Sequence, residues 1–300
     1  MKRSGTKVLG ILVALAWLCF TLPADFALAQ GQGQGAAAKP AAAPKLEAFD
    51  AKAFDKPTAI DNKWFPMKPA TRWVLEGTTV EDDGKVVPHR VELTITNLTK
   101  MVGGIRAVVS YDIDYTENEL VETKLAFYAQ DNTGTIWFLG SHAEEFEDGK
   151  LTKSRTWLHG VERAQAGILM KAAPQSGAPS YSQGWGPDAE WTHRGQITKV
   201  GQTTATRAGK YADVIIVEEA ASENADPHIL KYYASGTGYV RLGAGGKKRH
   251  PKETLQLTKV EQLNPKALAQ LNENAMKLEK SAYQVSRNIY GSSAPMTISK

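Results

Sequence analysis

The sequence predicts a mainly β protein, in which antiparallel strands form a curved sheet, a half-barrel or a barrel, followed by a C-terminal amphipathic helix. Three observations support this fold class. Short runs of alternating apolar and polar residues recur between residues 72 and 261, a long aromatic loop interrupts them at 155–191, and apolar residues recur every three or four positions after residue 264. Short strands at this spacing favour a meander over alternating β-α-β units.

The individual strands follow from the alternation and from the turns between them. Residues 91–96 and 109–115 alternate strictly, so each of these runs has one apolar and one polar face. Gly, Asn and Asp clusters separate the runs, for example at residues 82–84, 117–118 and 147–149. Further strands are predicted near residues 134–140, 192–201, 211–220, 228–234, 238–243 and 253–261.

The first 29 residues have the order of a secretory signal peptide. Basic residues at positions 2, 3 and 7 precede an apolar run at 8–22, and Ala27-Leu28-Ala29 offers a small-residue cleavage site. Cleavage near Ala29 would leave a secreted or periplasmic protein. The apolar run is shorter than the roughly 20 residues that a membrane span needs, so we expect no transmembrane span in the mature protein.

The predicted domain organisation continues with a low-complexity linker at residues 30–45, which is rich in Gly, Ala, Pro and Gln. The antiparallel β domain then covers residues 46–263, and a C-terminal helix and tail cover 264–300. The only cysteine, Cys19, lies in the signal peptide. The mature chain therefore has neither a disulfide nor a thiolate ligand, and its stability must come from burial.

Charge argues against a nucleic-acid partner. The whole chain carries 36 basic and 32 acidic residues, but residues 46–263 alone carry 26 basic and 29 acidic ones. A nucleic-acid surface would need a basic stripe across a folded face.

The long loop at residues 155–191 contains the candidate ligand-binding residues Trp157, Tyr181, Trp185 and Trp191. Loops of this length inside a domain are often lids or binding loops, and the aromatic residues argue against disorder. One interpretation places these four side chains around a ligand at one mouth of the sheet. The alternative, which large aromatic residues favour, is that they fill the core at its open end.

The C-terminal segment has the clearest helix pattern. Asn264 is suited to cap the helix, Pro265 to its first position and Gly291 to its end. The apolar stripe follows a heptad repeat, with residues Leu268, Leu271, Ala275, Leu278, Ala282, Val285 and Ile289. Such a stripe could pair with a second copy as a homo-oligomer, bind a partner, or pack on its own sheet.

Evidence for catalysis is thin. Asp112 and Asp114 should project from one face of a strand, where they could act with His159 or His193 as a hydrolase. The favoured interpretation is that both carboxylates are solvated. The histidine spacings predict no metal site, and we expect no catalytic residues and no cofactor.

One local motif resembles a known group of sequences. Residues 231–240, KYYASGTGYV, are similar to the K-Y-Y-A-x-G-x-G-x-V strand, turn and strand of uncharacterised bacterial secreted and periplasmic proteins, although Ser235 replaces their usual proline. Residues 61–77 and 181–185 extend the likeness over about 55–260. The resemblance implies an antiparallel β-rich domain akin to the curved half-barrels of lipoprotein carriers. It implies no catalytic residues.

Together these observations predict an exported, non-enzymatic protein that binds an apolar small molecule or a lipid of the cell envelope in the concavity of the sheet. A structural or interaction protein that uses the C-terminal helix is one alternative. A carboxylate-dependent hydrolase is the other.

Overall fold

The computed structural model describes residues 45–81, 83–189, 192–220, 228–245 and 252–299. The predicted signal peptide, nearly all of the predicted linker and Trp191 lie outside these described residues. The described strands are β1 Thr71–Val80, β2 Val86–Val102, β3 Ile105–Thr116, β4 Glu119–Gln130, β5 Ile136–Glu147, β6 Lys150–Leu158, β7 Gly167–Met170, β8 Tyr181–Ser182, β9 Arg194–Thr206, β10 Gly209–Ala220, β11 His228–Ala234, β12 Gly238–Gly245, β13 Glu253–Gln262 and β14 Thr297–Ile298.

These strands form one antiparallel sheet, which is curved and does not close into a barrel. Its order is β6-β5-β4-β3-β2-β1-β13-β12-β11-β10-β9-β8, while β7 pairs with β5 and β14 with β2. The sheet is therefore two meanders joined where β1 pairs with β13. This confirms the predicted fold class as an open, curved antiparallel sheet.

The curvature follows from the residues that share one core. Buried side chains from every strand between β1 and β13 belong to a single cluster, which defines the inner face. Tyr128 of β4 and Tyr233 of β11 even line the same cavity, although these strands are six neighbours apart in the sheet. In a flat sheet that separation would be about 29 Å at the usual spacing between strands. The sheet must curl around its inner face.

A second core covers the outer face of β2 to β5. Helix α1, Pro265–Val285, buries Leu271, Ala275, Leu278 and Ala282 against it, and α2, Arg287–Tyr290, adds Ile289 and Tyr290. The apolar stripe of α1 therefore packs on the chain's own sheet. None of the described helices is long and apolar enough to cross a membrane.

The ends of the helical segment agree with its capping residues. Asn264 Oδ1 accepts a hydrogen bond from the Ala267 backbone N–H at 2.9 Å, and Pro265 occupies the first position. The helix was predicted to end at Gly291, but α1 ends earlier, at Val285. Ser286 then separates α1 from the short helix α2. Gly291 caps α2 instead.

A buried ion pair fixes α1 to β2. Lys100, which has no exposed surface, donates to Glu279 Oε1 at 2.7 Å and to the Ala294 carbonyl at 2.8 Å. Both carboxylate oxygens of Glu279 also accept the Met296 backbone N–H. Burial lowers the pKa of Lys100, although the hydrogen bond and charge of Glu279 oppose this shift. The pair thus ties the sheet, the helix and the C-terminal segment together.

Residues 60–67, here called the end segment, cross one end of the inner face. The Asn62 side chain donates to the Gly134 carbonyl at 2.8 Å, in the turn after β4. On the opposite side Lys63 contacts Asp213 at 2.7 Å, and its carbonyl accepts the Gly236 N–H. The end segment therefore bridges turns from both meanders.

Candidate functional site

A cavity lies on the inner face, between the end segment and the middle of the strands. The empty space in it, counted together with open solvent at its mouth, is about 570 Å³. Its lining comes from β1 to β4, β7, β11, β12 and the end segment, and consists of Phe65, Trp73, Leu93, Ile95, Ser110, Asp112, Lys124, Tyr128, Leu169, Lys231, Tyr233 and Tyr239.

The lining is divided into an apolar part and a polar part because of how side chains alternate along the strands. On β4, Tyr128, Lys124 and Glu122 all project inward, and they lie progressively farther from the end segment. On β2 the same order holds: the apolar Ile95 lies nearer to the end segment and the polar His89 lies farther from it. The apolar lining therefore lies next to the end segment, and the ionisable side chains lie toward the opposite end.

Two ion pairs stand at the polar part of the cavity. Lys124 Nζ lies 3.4 Å from Asp112 Oδ2, and the Ser110 hydroxyl donates to the other oxygen of Asp112 at 2.8 Å. Lys231 Nζ lies 2.7 Å from Glu219 Oε2. Burial raises the pKa of Asp112, although Lys124 and Ser110 oppose this shift. Each lysine at the cavity is thus matched by a carboxylate.

Gln183 and His193 lie next to the ion pair of Lys231 and Glu219. Gln183 Nε2 donates to Glu219 Oε1 at 2.7 Å, so both oxygens of this buried carboxylate have a partner. Burial, and to a smaller extent the charge of Lys231, lowers the pKa of His193 to about 3. His193 is therefore neutral at ordinary pH.

His89 bridges two carboxylates at the polar end of the inner face. Its Nδ1 lies 3.3 Å from Asp114 Oδ1 and its Nε2 lies 2.9 Å from Glu253 Oε1. Burial alone would lower the pKa of His89. The hydrogen bond to Glu253 and the charges of both carboxylates outweigh burial and raise it. Among the described residues, no group of three or more His, Cys, Asp or Glu side chains is arranged to hold a metal ion.

Replacing His89 with glutamine is expected to reduce stability more at pH 6 than at pH 8.5. Because the folded pKa of His89 is raised above 6.5, its contribution is complete below pH 6.5 and is lost as the pH rises through the folded pKa. Urea unfolding of both proteins at the two pH values measures this difference. An equal loss at both pH values would show that the pKa of His89 is the same in the folded and the unfolded protein.

Three of the four predicted binding residues are described, and none of them lines the cavity. Trp157 is buried and packs edge-on against Phe138, with ring centroids 5.0 Å apart. Tyr181 is buried on the short strand β8, and Trp185 pairs with Gln165 through an isolated β-bridge. Trp157 and Tyr181 thus belong to the inner core. That the four aromatic residues contact a ligand stays a prediction.

The interpretation of Asp112 and Asp114 as solvated carboxylates is wrong. Their exposed fractions are 3% and 0%. The reason is that β3 is buried on both faces, since Val109 and Tyr111 pack beneath the helices on the outer face while both aspartates face inward. The alternating pattern of β3 therefore separates two buried faces, and not a solvent-exposed face from a buried one.

The two histidines proposed for a hydrolase lie apart from each other. The His159 ring packs against the Phe49 ring at a tilt of 57°, with 4.3 Å between ring centroids, and Phe49 packs against the outer core. His193 lies at the polar end beside Lys231. Asp114 is paired with His89 instead, a residue that no sequence pattern singled out.

The cavity residues that the sequence did not reveal are mainly Lys124, Lys231 and Tyr239. A usable indication exists for Lys124, which is flanked by a run of apolar residues at 125–129 on a strand with almost no exposed position. A lysine in phase with inward apolar residues on such a strand must be buried and paired.

No protein-family model and no curated protein matches the chain. Two solved structures are similar to it. One is a Bacteroides fragilis protein with a YmcC-like fold, whose name calls it exported, and the other is a Parabacteroides distasonis protein, whose name calls it a lipoprotein. For each, identity is 10%, the TM-score is 0.40, and the match covers 67% of this chain and 99% of the other.

Proposed function

We propose that the mature protein is exported and non-enzymatic, and that it binds an apolar or amphipathic ligand of the cell envelope in the cavity on the inner face. The order of the first 29 residues supports export. The observation that carries the binding proposal is the cavity itself, which combines an apolar, aromatic wall with a few buried polar groups at one side. Sites for small molecules commonly have this composition.

The arrangement suits a ligand with an apolar body. Phe65 of the end segment forms an apolar wall with Trp73 and Leu93, so a hydrocarbon chain placed there would be shielded from water. Burial of apolar surface contributes roughly 25 cal/mol per Å², and the aromatic rings offer large areas for it. The ion pairs at the other side would orient the polar end.

Native mass spectrometry tests the proposal on mature protein purified from its own host envelope without detergent. A reproducible extra mass that is released on denaturation is the expected result, and the released compound can then be identified. The intact mass also tests cleavage near Ala29. An empty protein that also fails to bind the uncharged apolar dye Nile red would overturn the binding proposal.

The Leu93→Trp substitution is expected to weaken Nile red binding at least tenfold, because the larger ring would fill part of the cavity that Leu93 lines. Fluorescence titration measures the affinity. The matched control is Leu120→Trp, since Leu120 is 38% exposed and does not line the cavity. Equal losses in both variants, or no loss in Leu93→Trp, would contradict binding at this cavity.

A further inference from the structure

Tyr239 of β12 lines the cavity and has an unmatched hydrogen-bonding group. Its side chain is only 4% exposed, and among the described residues its hydroxyl has no hydrogen-bond partner. A buried hydroxyl without a partner destabilises the folded protein, because it has lost its hydrogen bonds to water. Such groups are rare in folded proteins and call for an explanation. A ligand atom in the cavity would supply the missing partner.

The hydroxyl of Tyr239 would act as the donor in that contact. Burial raises its pKa well above the usual value for tyrosine, so the hydroxyl keeps its proton at ordinary pH. A protonated phenol donates readily to a carbonyl or ether oxygen. The ligand group that meets Tyr239 is therefore a hydrogen-bond acceptor.

The charges at the cavity limit what that acceptor can be. Lys124 is paired with Asp112 and Lys231 with Glu219, so the positive charges at the lining are already balanced. A carboxylate or phosphate entering the cavity would lose its hydration without an uncompensated cation to receive it. Burying an unmatched charge costs far more than burying a neutral polar group.

We infer that the ligand of this cavity has an uncharged head with a hydrogen-bond acceptor, such as an ester or amide carbonyl, and that Tyr239 donates to it. This inference rests on the proposed function and specifies its ligand class. Tyr239 lies beside Tyr233, with ring centroids 5.5 Å apart, and its ring is 6.0 Å from Lys231 Nζ. The head would thus lie where the aromatic wall meets the ion pairs, and the chain would extend toward the end segment.

The test compares three probes that share a twelve-carbon chain: monolauroylglycerol, which is an uncharged ester, laurate, which is anionic, and dodecylamine, which is cationic. Each probe is titrated into the mature protein with bound Nile red at pH 8, and the displacement of the dye is measured. We expect monolauroylglycerol to displace the dye at a concentration at least tenfold lower than either charged probe. Equal or tighter binding of laurate or dodecylamine would overturn this inference while leaving the binding proposal intact. If no probe binds and Nile red does not bind either, the binding proposal itself fails.

Two tyrosine variants locate the contact. Tyr239→Phe removes only the hydroxyl and is expected to weaken monolauroylglycerol binding about fivefold, as the loss of one hydrogen bond predicts. It should leave laurate binding unchanged. Removing an unmatched buried hydroxyl should also leave the ligand-free protein as stable or more stable, which thermal unfolding measures.

Tyr290→Phe is the matched control. Tyr290 also has a buried hydroxyl without a hydrogen-bond partner among the described residues, but it belongs to the outer core and does not line the cavity. Its substitution should not change binding of any probe. A similar loss in both variants, or no loss in Tyr239→Phe, would overturn the assignment of Tyr239.

Discussion

Replacing Lys100 with methionine is expected to lower the free energy of unfolding by about 3–5 kcal/mol, because the substitution leaves the buried carboxylate of Glu279 without its cation. Methionine has nearly the length of lysine, so little of the loss would come from an empty space. The C-terminal segment should also loosen, since Lys100 holds the Ala294 carbonyl. Urea unfolding measures the loss, and hydrogen exchange of residues 294–299 measures the loosening.

Two comparisons make this experiment specific. Arg207→Met breaks an ion pair with Glu76 whose side chains are 63% and 41% exposed, and it should cost only about 0–1 kcal/mol. The double variant Lys100→Met, Glu279→Leu removes both charges and should recover much of the stability that the single variant loses. A loss below about 1 kcal/mol in Lys100→Met would show that the pair does not hold the helix.

Acid should unfold the protein partly through His193. Its folded pKa of about 3 lies below the unfolded value of 6.5, so its contribution is complete above pH 6.5 and is lost as the pH falls from 6.5 toward 3. The loss should reach about 2 kcal/mol at pH 5, and about 4–5 kcal/mol once the pH is below the folded pKa. The His193→Gln substitution should remove this part of the pH dependence.

The difference between the two proteins, rather than either curve alone, isolates His193. Burial also raises the pKa values of Asp112 and Glu122. These two carboxyl groups therefore stabilise the folded protein as the pH falls, which opposes the destabilisation by His193. Urea unfolding at pH 7, 6, 5 and 4 measures the difference. If it stays constant over this range, His193 has an ordinary pKa in the folded protein.

The strands and the helix were largely predictable because they depend on local patterns. The strand predicted at 228–234 is β11, those at 253–261 and 211–220 match β13 and β10 within two residues, and Asn264 caps α1 as expected. Alternation and capping act between residues that are close in sequence, so one chain suffices to recognise them.

The cavity was not predictable because it depends on which strands face each other. Lys124 on β4 and Lys231 on β11 reach one cavity only because the sheet curls, and no local pattern encodes that curvature. The same reason explains Asp112 and Asp114. Alternation placed both aspartates on the face opposite Val109 and Tyr111 correctly, but only the curl of the sheet shows that this face is also buried.

The pairing of β1 with β13 has a consequence for how the chain folds. Within each meander, strands that pair are also close in sequence, so they can form as successive hairpins. The seam between β1 and β13 instead joins residues as distant as Thr71 and Gln262, which are 191 positions apart. Closing that loop costs more entropy than closing any hairpin within either meander. The pairing of β1 with β13 is therefore expected to form late and to set the folding rate. The inner face is complete only after these two strands have paired.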